Sequence, residues 1–189
     1  MTDYSLPFPG LDLAERELSY DYCYNKILPE DRNRIVKIAW ERGEAAAKDV
    51  FAKYKGEANF FDIAAESGLS WEMIDKDNVV GNLRFFSEYL SGKKCISLYS
   101  HSINIWAKEN NMDEKTALNL ILSHEYFHYL ECTTLGLTSR LYLVPMLIIG
   151  PLKIGRTGIR ALSEIGAHAF AHTYHNLLIK KENSHEIPK

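Results

Sequence analysis

The sequence feature that most constrains this chain is a helical segment that carries two histidines one turn apart. Residues 110–131 read NNMDEKTALNLILSHEYFHYLE, and either Asn111 or Asp113 can cap a helix whose apolar residues recur at helical spacing. Residues four apart lie above one another on a helix, so His124 and His128 can direct imidazole nitrogens at one metal ion. Glu125 lies beside them, where its carboxylate can reach a water molecule at the metal. The segment therefore predicts a zinc site on a central helix, with Glu125 as its general base.

A third protein ligand is expected from a carboxylate. Glu131 and Thr134 occupy the glycine and last histidine positions of the longer metzincin motif, which excludes that class. Glu131 shares a helical face with His124 and His128, but three ligands spread over about 10 Å of one straight helix wrap poorly around a tetrahedral ion. Glu164 lies in the segment ALSEIGAHAFAH, whose small residues would let a second helix approach the first closely. We therefore favour Glu164 as the third ligand, and Glu131 as a residue that orients a histidine or faces solvent.

Charge and cysteine content narrow the classes of function. The net charge is −3 and no run of Lys or Arg exceeds two residues, so we expect no direct nucleic-acid partner. A small basic group at Lys153, Arg156 and Arg160 is interpreted as a solvated loop or helix start. The three cysteines lie far apart and form no CxxC pair, which favours a reducing compartment. The first residues lack the apolar stretch of a secretory leader, so we expect a cytoplasmic protein.

The uncharged stretch 141–152 is an unusually apolar part of the C-terminal half. Its 12 residues fall short of the roughly 20 that a membrane span requires, so we do not expect a membrane partner. Prolines and glycines argue against a continuous helix here. Three interpretations stay open for the segment 141–155: a mobile flap over a cleft, a patch that meets a partner or a membrane surface, and a buried connector that covers the sheet. We favour the buried connector.

Cap and turn residues divide the rest of the chain into helices, a small sheet and further helices, which predicts an α+β fold. The HExxH helix lies centrally, and other helices flank a sheet of about three strands. We expect an N-terminal tail and short helix over 1–28, one domain over 29–181 and a C-terminal tail over 182–189. The predicted elements are a loose tail at 1–10, a short helix at 11–24, a helix from Pro29 to a stop at Gly56, a helix that ends at Gly68, a strand at 69–75, two strands in NLRFFSEYL and KKCISLYS, a connector at 136–158 and a last helix at 158–181.

Two further interpretations concern individual segments. A DNA-binding helix-turn-helix over 57–78 is a weak alternative, because its second half, SWEMIDKD, is acidic where a recognition helix should be basic. Three histidines, His168, His172 and His175, follow Glu164 on one side of the last helix. His168 is one turn from Glu164, and we predict a catalytic role for it as a donor to the oxyanion of a tetrahedral intermediate. For the other two, a polar helix face is favoured.

The two motifs together resemble those of the ImmA/IrrE family of zinc metallopeptidases. Members pair an HExxH helix with a later Glu-x-x-Ala-x-x-Phe-Ala, and the segment EIGAHAFA matches that pattern with Glu164, Ala167, Phe170 and Ala171. The likeness covers about residues 30–180, although only the two motifs are specific.

The resemblance implies both a fold and an activity. It implies a thermolysin-like gluzincin core in which His124, His128 and Glu164 bind Zn²⁺ and Glu125 is the catalytic base. It also implies cytoplasmic proteolysis of a regulatory protein, such as a repressor or a stress regulator. An edge strand within 83–99 would bind the extended substrate by strand addition.

The chain departs from the family pattern inside the first motif. Phe127 stands where members commonly have Gly, and Cys132 stands where they have a further histidine. The connector between the motifs is longer and more apolar, and no helix-turn-helix is appended. Two functions follow: a zinc-dependent endopeptidase that acts on an intracellular regulatory protein, and a catalytically inactive regulatory module that binds protein on the same fold.

Overall fold

The computed structural model of the chain describes residues 6–185, which form an α+β fold, as predicted. The helices are α1 (Ala14–Ser19), α2 (Pro29–Lys53), α3 (Phe60–Glu66), α4 (Ser100–Glu109), α5 (Glu114–Leu130) and α6 (Ala161–His185). The strands are β1 (Ser70–Ile74), β2 (Asn78–Val80), β3 (Leu83–Phe85), β4 (Ser87–Leu90), β5 (Cys95–Tyr99), β6 (Leu143–Ile149) and β7 (Leu152–Gly158). Short 3₁₀ turns lie at Leu11–Leu13, Tyr24–Lys26 and Thr138–Leu141, and a π-helical turn at Glu131–Leu135 extends α5.

The strands form one three-stranded sheet and two separate hairpins, so the predicted sheet size is confirmed. In the sheet, β5 is central and pairs in parallel with β1 and antiparallel with β4. Antiparallel hairpins are formed by β2 with β3 and by β6 with β7. The segment NLRFFSEYL, predicted as one strand, divides at Phe86 into β3 and β4. This division leaves β4 as an edge of the main sheet.

Two hydrophobic cores meet along α6. The larger core lies between β5, α3, α4, α5 and parts of α2 and α6, and includes Phe60, Ile103 and Phe170. The smaller core joins α1, the first half of α2 and the start of α6, and includes Leu18 and Leu162. Burial of each such side chain contributes roughly 1.5–3 kcal/mol. Because α6 contributes to both cores, it is held against α5 in the larger core and against α1 and α2 in the smaller one.

Small residues bring α2 and α6 into close contact. A Cβ atom added at Gly43 would collide with the carbonyl oxygen of Gly166 and lie 2.8 Å from the Cβ of Ala169. Glycine in a helix interior costs about 1 kcal/mol relative to alanine. At Gly43 this cost is accompanied by a close contact between α2 and α6, which a larger residue would prevent.

The structure corrects several predicted boundaries. The tail predicted over 1–10 is packed where it is described: Leu6 is buried, and the Phe8 ring lies 5.5 Å from the Trp106 ring. Residues 1–5 and 186–189 lie outside the described residues. Helix α4 was not predicted at all, and α6 continues beyond the predicted end at residue 181 to His185. The helix-turn-helix over 57–78 is excluded, because β1 occupies the place of its second helix.

The segment 141–155 is an exposed hairpin, so the favoured interpretation as a buried connector is wrong. Strands β6 and β7 pair with each other and with no strand of the main sheet. Most of their side chains are exposed, and burial is confined to Val144 near the base. Among the helices of the described residues, none has the length and apolar character that crossing a bilayer requires.

Candidate metal centre

Helix α5 presents both histidines because its start is capped and its other faces are buried. The Asp113 side chain accepts hydrogen bonds from the backbone nitrogen (3.0 Å) and the hydroxyl (2.6 Å) of Thr116. Ala117 and Ile121, further along α5, are buried in the larger core. These contacts fix the rotation of the helix, so His124 and His128 point together towards α6.

Glu164 on α6 completes a set of three potential metal ligands. Its Oε2 atom lies 3.3 Å from Nε2 of His124, and its Oε1 atom lies 3.7 Å from Nε2 of His128. One ligand atom from each of the three residues lies within 4.8 Å of the other two. Donor atoms around a tetrahedral zinc ion lie roughly 3.3 Å apart, given bond lengths of 2.0–2.2 Å. The three predicted ligands could therefore hold a metal ion, and two imidazole nitrogens with a carboxylate oxygen form a donor set that zinc accepts.

Glu131 lies on the opposite side of His128 from Glu164. Oε2 of Glu131 is 2.9 Å from Nδ1 of His128, and Glu131 is only 3 % exposed. Its other oxygen accepts hydrogen bonds from the Thr138 backbone nitrogen (2.7 Å) and the Ser163 hydroxyl (2.9 Å). These contacts occupy Glu131 and leave Nε2 of His128 for a metal. Of the two roles predicted for Glu131, orienting a histidine is the one that the contacts favour.

His128, Glu131 and Glu164 lie close enough to change one another's pKa values. Burial alone would lower the pKa of His128, but its hydrogen bonds with Glu131 and Glu164 raise that pKa well above the usual value. Burial would raise the pKa of Glu164, but the two histidines lower it well below the usual value. Burial also opposes ionisation of Glu131, yet hydrogen bonds from His128 and Thr138 lower its pKa. The pocket therefore favours positive charge between two ionised carboxylates, as a site for a cation must.

Glu125 lies beside the ligands, on the wall of an open cleft of about 700 Å³. Its carboxylate is almost fully buried, and its Oε1 accepts a hydrogen bond from the Ser87 hydroxyl of β4 at 2.7 Å. Residues of α5, α6, β4 and the β2–β3 hairpin line the cleft, including Val80, Phe85, Ser87, Glu88, Tyr89, Glu125, His128, Cys132, Arg160 and Glu164. The predicted base and two of the predicted ligands thus face one accessible space.

His168 does not line this cleft. It is 9 % exposed, and its ring lies between Phe8 (5.6 Å) and His124 (5.0 Å). Burial, followed by the nearby His124, lowers the pKa of His168 to about 3, so the ring is neutral at neutral pH. This position behind His124 does not match the predicted contact with a substrate carbonyl. The contacts fit a residue that holds the His124 ring in place.

Phe127 is accommodated by a glycine on the facing helix. Its ring is fully buried, and a Cβ atom added at Gly166 would lie 2.8 Å from two of its ring carbons. Gly166 therefore makes room for the bulk of Phe127, which stands at a position where ImmA/IrrE members commonly have glycine. Cys132, the other departure, is exposed at the cleft.

Three contributors to the site were missed by sequence reasoning. Ser87 contacts Glu125, Ser163 contacts Glu131, and Phe8 packs against both His124 and His168. Ser163 directly precedes Glu164, and this adjacency was the one sequence signal that could have indicated any of the three. Ser87 and Phe8 are far from the motifs in sequence, and no local pattern indicates them.

Comparisons with known proteins add no relative. Neither models of protein families, nor curated proteins, nor solved structures gave a match to this chain. The resemblance to ImmA/IrrE peptidases therefore rests on the two motifs, and the site has to be judged on its geometry and chemistry.

Proposed function

We propose that this protein is a zinc-dependent endopeptidase that hydrolyses peptide bonds of an intracellular regulatory protein. The observation that carries the proposal is the convergence of two Nε2 atoms from α5 with a carboxylate from α6, beside Glu125 in an open cleft. A pair of purely structural histidines would need neither the Glu164 carboxylate nor the cleft. A cytoplasmic location, a thermolysin-like core and a repressor or stress regulator as substrate are the further parts that the family resemblance suggests.

The chain's own residues divide the chemistry between them. His124, His128 and Glu164 would hold the zinc ion, and Glu131 would keep the His128 ring in orientation. When bound, zinc supplies the Lewis acidity that polarises a peptide carbonyl and acidifies the attacking water. Glu125 would accept the proton of that water and pass it to the leaving amine. Ser87 occupies Oε1 of Glu125, which leaves Oε2 for this proton.

Strand β4 is suited to bind an extended peptide. It is an edge of the main sheet, and its residues line the cleft. The Phe86 carbonyl accepts a hydrogen bond from the Tyr99 nitrogen of β5 at 2.9 Å. Because backbone groups alternate in direction along an antiparallel strand, those of Ser87 and Tyr89 face the free edge. A substrate strand would pair with these groups and place its scissile bond near Glu125.

Zinc content and proteolysis, measured together, test the proposal. We expect about one zinc per chain in the wild type and in Glu125→Gln, but loss of zinc in Glu164→Ala. Cleavage of an unfolded protein such as casein should fall by a factor of about 10² to 10⁴ in Glu125→Gln. Loss of zinc in Glu131→Ala but not in Glu164→Ala would contradict the ligand assignment. Absence of zinc from the wild type after reconstitution would contradict the proposal as a whole.

The alternative is a binding module that keeps the fold but does not cleave. The exposed Cys132 favours it, since a thiol stands at the cleft where the peptidase family has a histidine. Equal, background-level cleavage by the zinc-loaded wild type and by zinc-loaded Glu125→Gln would support this alternative over the enzyme.

A further inference from the structure

The β6–β7 hairpin presents a continuous aliphatic surface at its tip. Residues 143–152 contain no polar side chain, and six side chains of the hairpin are 44–61 % exposed: Met146, Leu147, Ile148, Ile149, Leu152 and Ile154. Leu147 pairs with Ile154 and Ile149 pairs with Leu152, so these four side chains lie on one face of the hairpin. Exposed hairpins usually end in polar turn residues, and clustered exposed aliphatic residues mark an interaction surface.

The hairpin and its flanking segments carry an excess of positive charge. Residues 132–163 contain no Asp or Glu but four cations, although the whole chain carries a net charge of −3. Lys153 and Arg156 lie on β7 itself and are exposed. Within residues 6–185, no carboxylate lies within ion-pair distance of either of them. The surface therefore offers aliphatic side chains and unpaired cations together.

The base of the hairpin is fixed to the body of the protein. Lys26 donates hydrogen bonds to the carbonyl oxygens of Pro145 (3.0 Å) and Met146 (2.7 Å). Val144 and Ile159, which flank the base, are buried in the smaller core. A fixed base holds the aliphatic tip away from the core. The hairpin residues are also absent from the lining of the cleft, so the hairpin does not act as its flap in this conformation.

We propose that this hairpin docks the protein on an anionic lipid bilayer, with the aliphatic tip in the headgroup–acyl boundary and Lys153 and Arg156 at lipid phosphates. A bilayer surface combines apolar and anionic groups in the arrangement that this tip complements. An isologous dimer through the hairpin would bring like cations of the two copies together, with no carboxylate in the segment to neutralise them. The sequence-based expectation of no membrane partner rested on the lack of a spanning segment, which surface docking does not need. The inference is independent of the metal site.

Flotation of the full-length protein with lipid vesicles tests this docking. The wild type should bind vesicles of phosphatidylcholine mixed with phosphatidylglycerol, should bind phosphatidylcholine alone far less, and should be released by salt. Lys153→Gln/Arg156→Gln should weaken binding about twenty-five-fold, since each cation near an anionic surface contributes roughly five-fold. Ile149→Gln/Leu152→Gln should weaken binding about ten-fold or more, since insertion scales with the apolar area buried.

Matched variants control for general loss of charge or apolar surface. Lys108→Gln/Lys115→Gln removes two exposed cations elsewhere, and Val79→Gln/Leu83→Gln removes two exposed aliphatic residues from the β2–β3 hairpin. Both should bind vesicles like the wild type. After subtraction of the wild-type emission, which comes from three native tryptophans, Ile149→Trp should show a blue shift with anionic vesicles that reports insertion of the tip.

Two results would overturn the docking proposal. One is failure of the wild-type protein to bind anionic vesicles at low salt, or binding that the two hairpin variants leave unchanged. The other is a dimer in sedimentation velocity without lipid that Ile149→Gln/Leu152→Gln dissociates, which would assign the tip to a second copy of the chain.

Discussion

Glu125 and Glu131 are both almost fully buried carboxylates, and their hydrogen-bond partners separate their roles. Glu131 accepts hydrogen bonds on both oxygens and faces Nδ1 of His128. Glu125 accepts one hydrogen bond, from Ser87, and faces the cleft. A carboxylate with a free oxygen can take a proton, whereas a fully bonded one can only orient its partners. Glu125, inside the HExxH motif, is therefore suited to accept a proton, and Glu131, three residues after the motif, is suited to orient His128.

Ser87→Ala tests the role of the hydroxyl that holds Glu125. We expect kcat to fall about ten-fold with little change in KM, because a buried carboxylate loses one hydrogen bond and its fixed orientation.

Thr substitution at the same position supplies the control. Ser87→Thr keeps the hydroxyl and should retain most of the activity, and the zinc content of both variants should equal that of the wild type. An unchanged kcat in Ser87→Ala would mean that the hydroxyl is structural only.

Gly166→Ala tests the contact that accommodates Phe127. The added Cβ atom would lie 2.8 Å from the Phe127 ring, and overpacking of this kind costs about 1–3 kcal/mol. The free energy of unfolding, measured in urea, should fall by that amount. Gly92→Ala is a matched control, because a Cβ atom there meets no heavy atom within 4 Å. If Phe127→Leu in the same chain restores none of the lost stability, the steric explanation is wrong.

At the scale of elements, the start of α5 determines how the histidines are presented. Hydrogen bonds from Thr116 lower the pKa of Asp113 from its usual value. A carboxylate whose pKa is lower in the folded state contributes stability above its unfolded pKa, and this contribution is lost as the pH falls through the folded pKa. The cap of α5 is therefore expected to weaken in acid.

Thermal unfolding of Asp113→Ala, compared with the wild type across pH, checks this dependence. The variant should melt several degrees lower at neutral pH, and the difference should shrink as the pH falls below about 4. Asp113→Asn should stay close to the wild type at neutral pH, because an amide oxygen also caps a helix. A difference between Asp113→Ala and the wild type that is constant down to pH 2 would contradict the role of the ionised cap.

Strand β4 allows a test of substrate binding that leaves the metal ligands untouched. Tyr89→Pro removes a backbone donor from the free edge, where proline is tolerated. Activity on an extended peptide, measured as kcat/KM, should fall about five-fold below that of Tyr89→Ala, which keeps the donor. Equal kcat/KM values for the two variants, with equal zinc content, would argue against strand addition at β4.

At the scale of the whole molecule, the proposed zinc site joins α5, which belongs to the larger core, to α6, which belongs to both cores. His124 and His128 lie on α5, Glu164 lies on α6, and α6 belongs to both cores. A ligand that binds only the folded state stabilises it by about 2.7 kcal/mol at a hundred times its dissociation constant. Metal binding should therefore affect unfolding of the entire chain.

Chelation is the corresponding measurement. Removal of zinc should lower the Tm by about 5–10 °C for a chain of this size, and zinc added back should restore it. Glu125→Gln should show the same shift as the wild type, because it keeps all three ligands. Glu164→Ala should show little shift, and a full shift in that variant would place the metal elsewhere.

The candidate metal ligands on α5 and most helices could be predicted from sequence because their signals are local. His124, Glu125 and His128 acquire their relative positions from the period of one helix, and Pro29, Gly56 and Asp113 act on their own turns. The sequence also paired the HExxH motif with Glu164, but it did not give the distances between their side chains. These features need no knowledge of distant contacts.

Only the tertiary structure decided the features that depend on residues far apart in sequence. Ser87 reaches Glu125 because β4 is an edge strand, and Glu131 turns away from the metal position because Thr138 and Ser163 bind it. The segment 141–155 is an exposed hairpin rather than a buried connector, since strand formation and burial depend on which partner is available. Sequence by itself determined which residues could bind a metal. Packing of α6 against α5 decided which of them meet, because only that contact sets distances between separate helices.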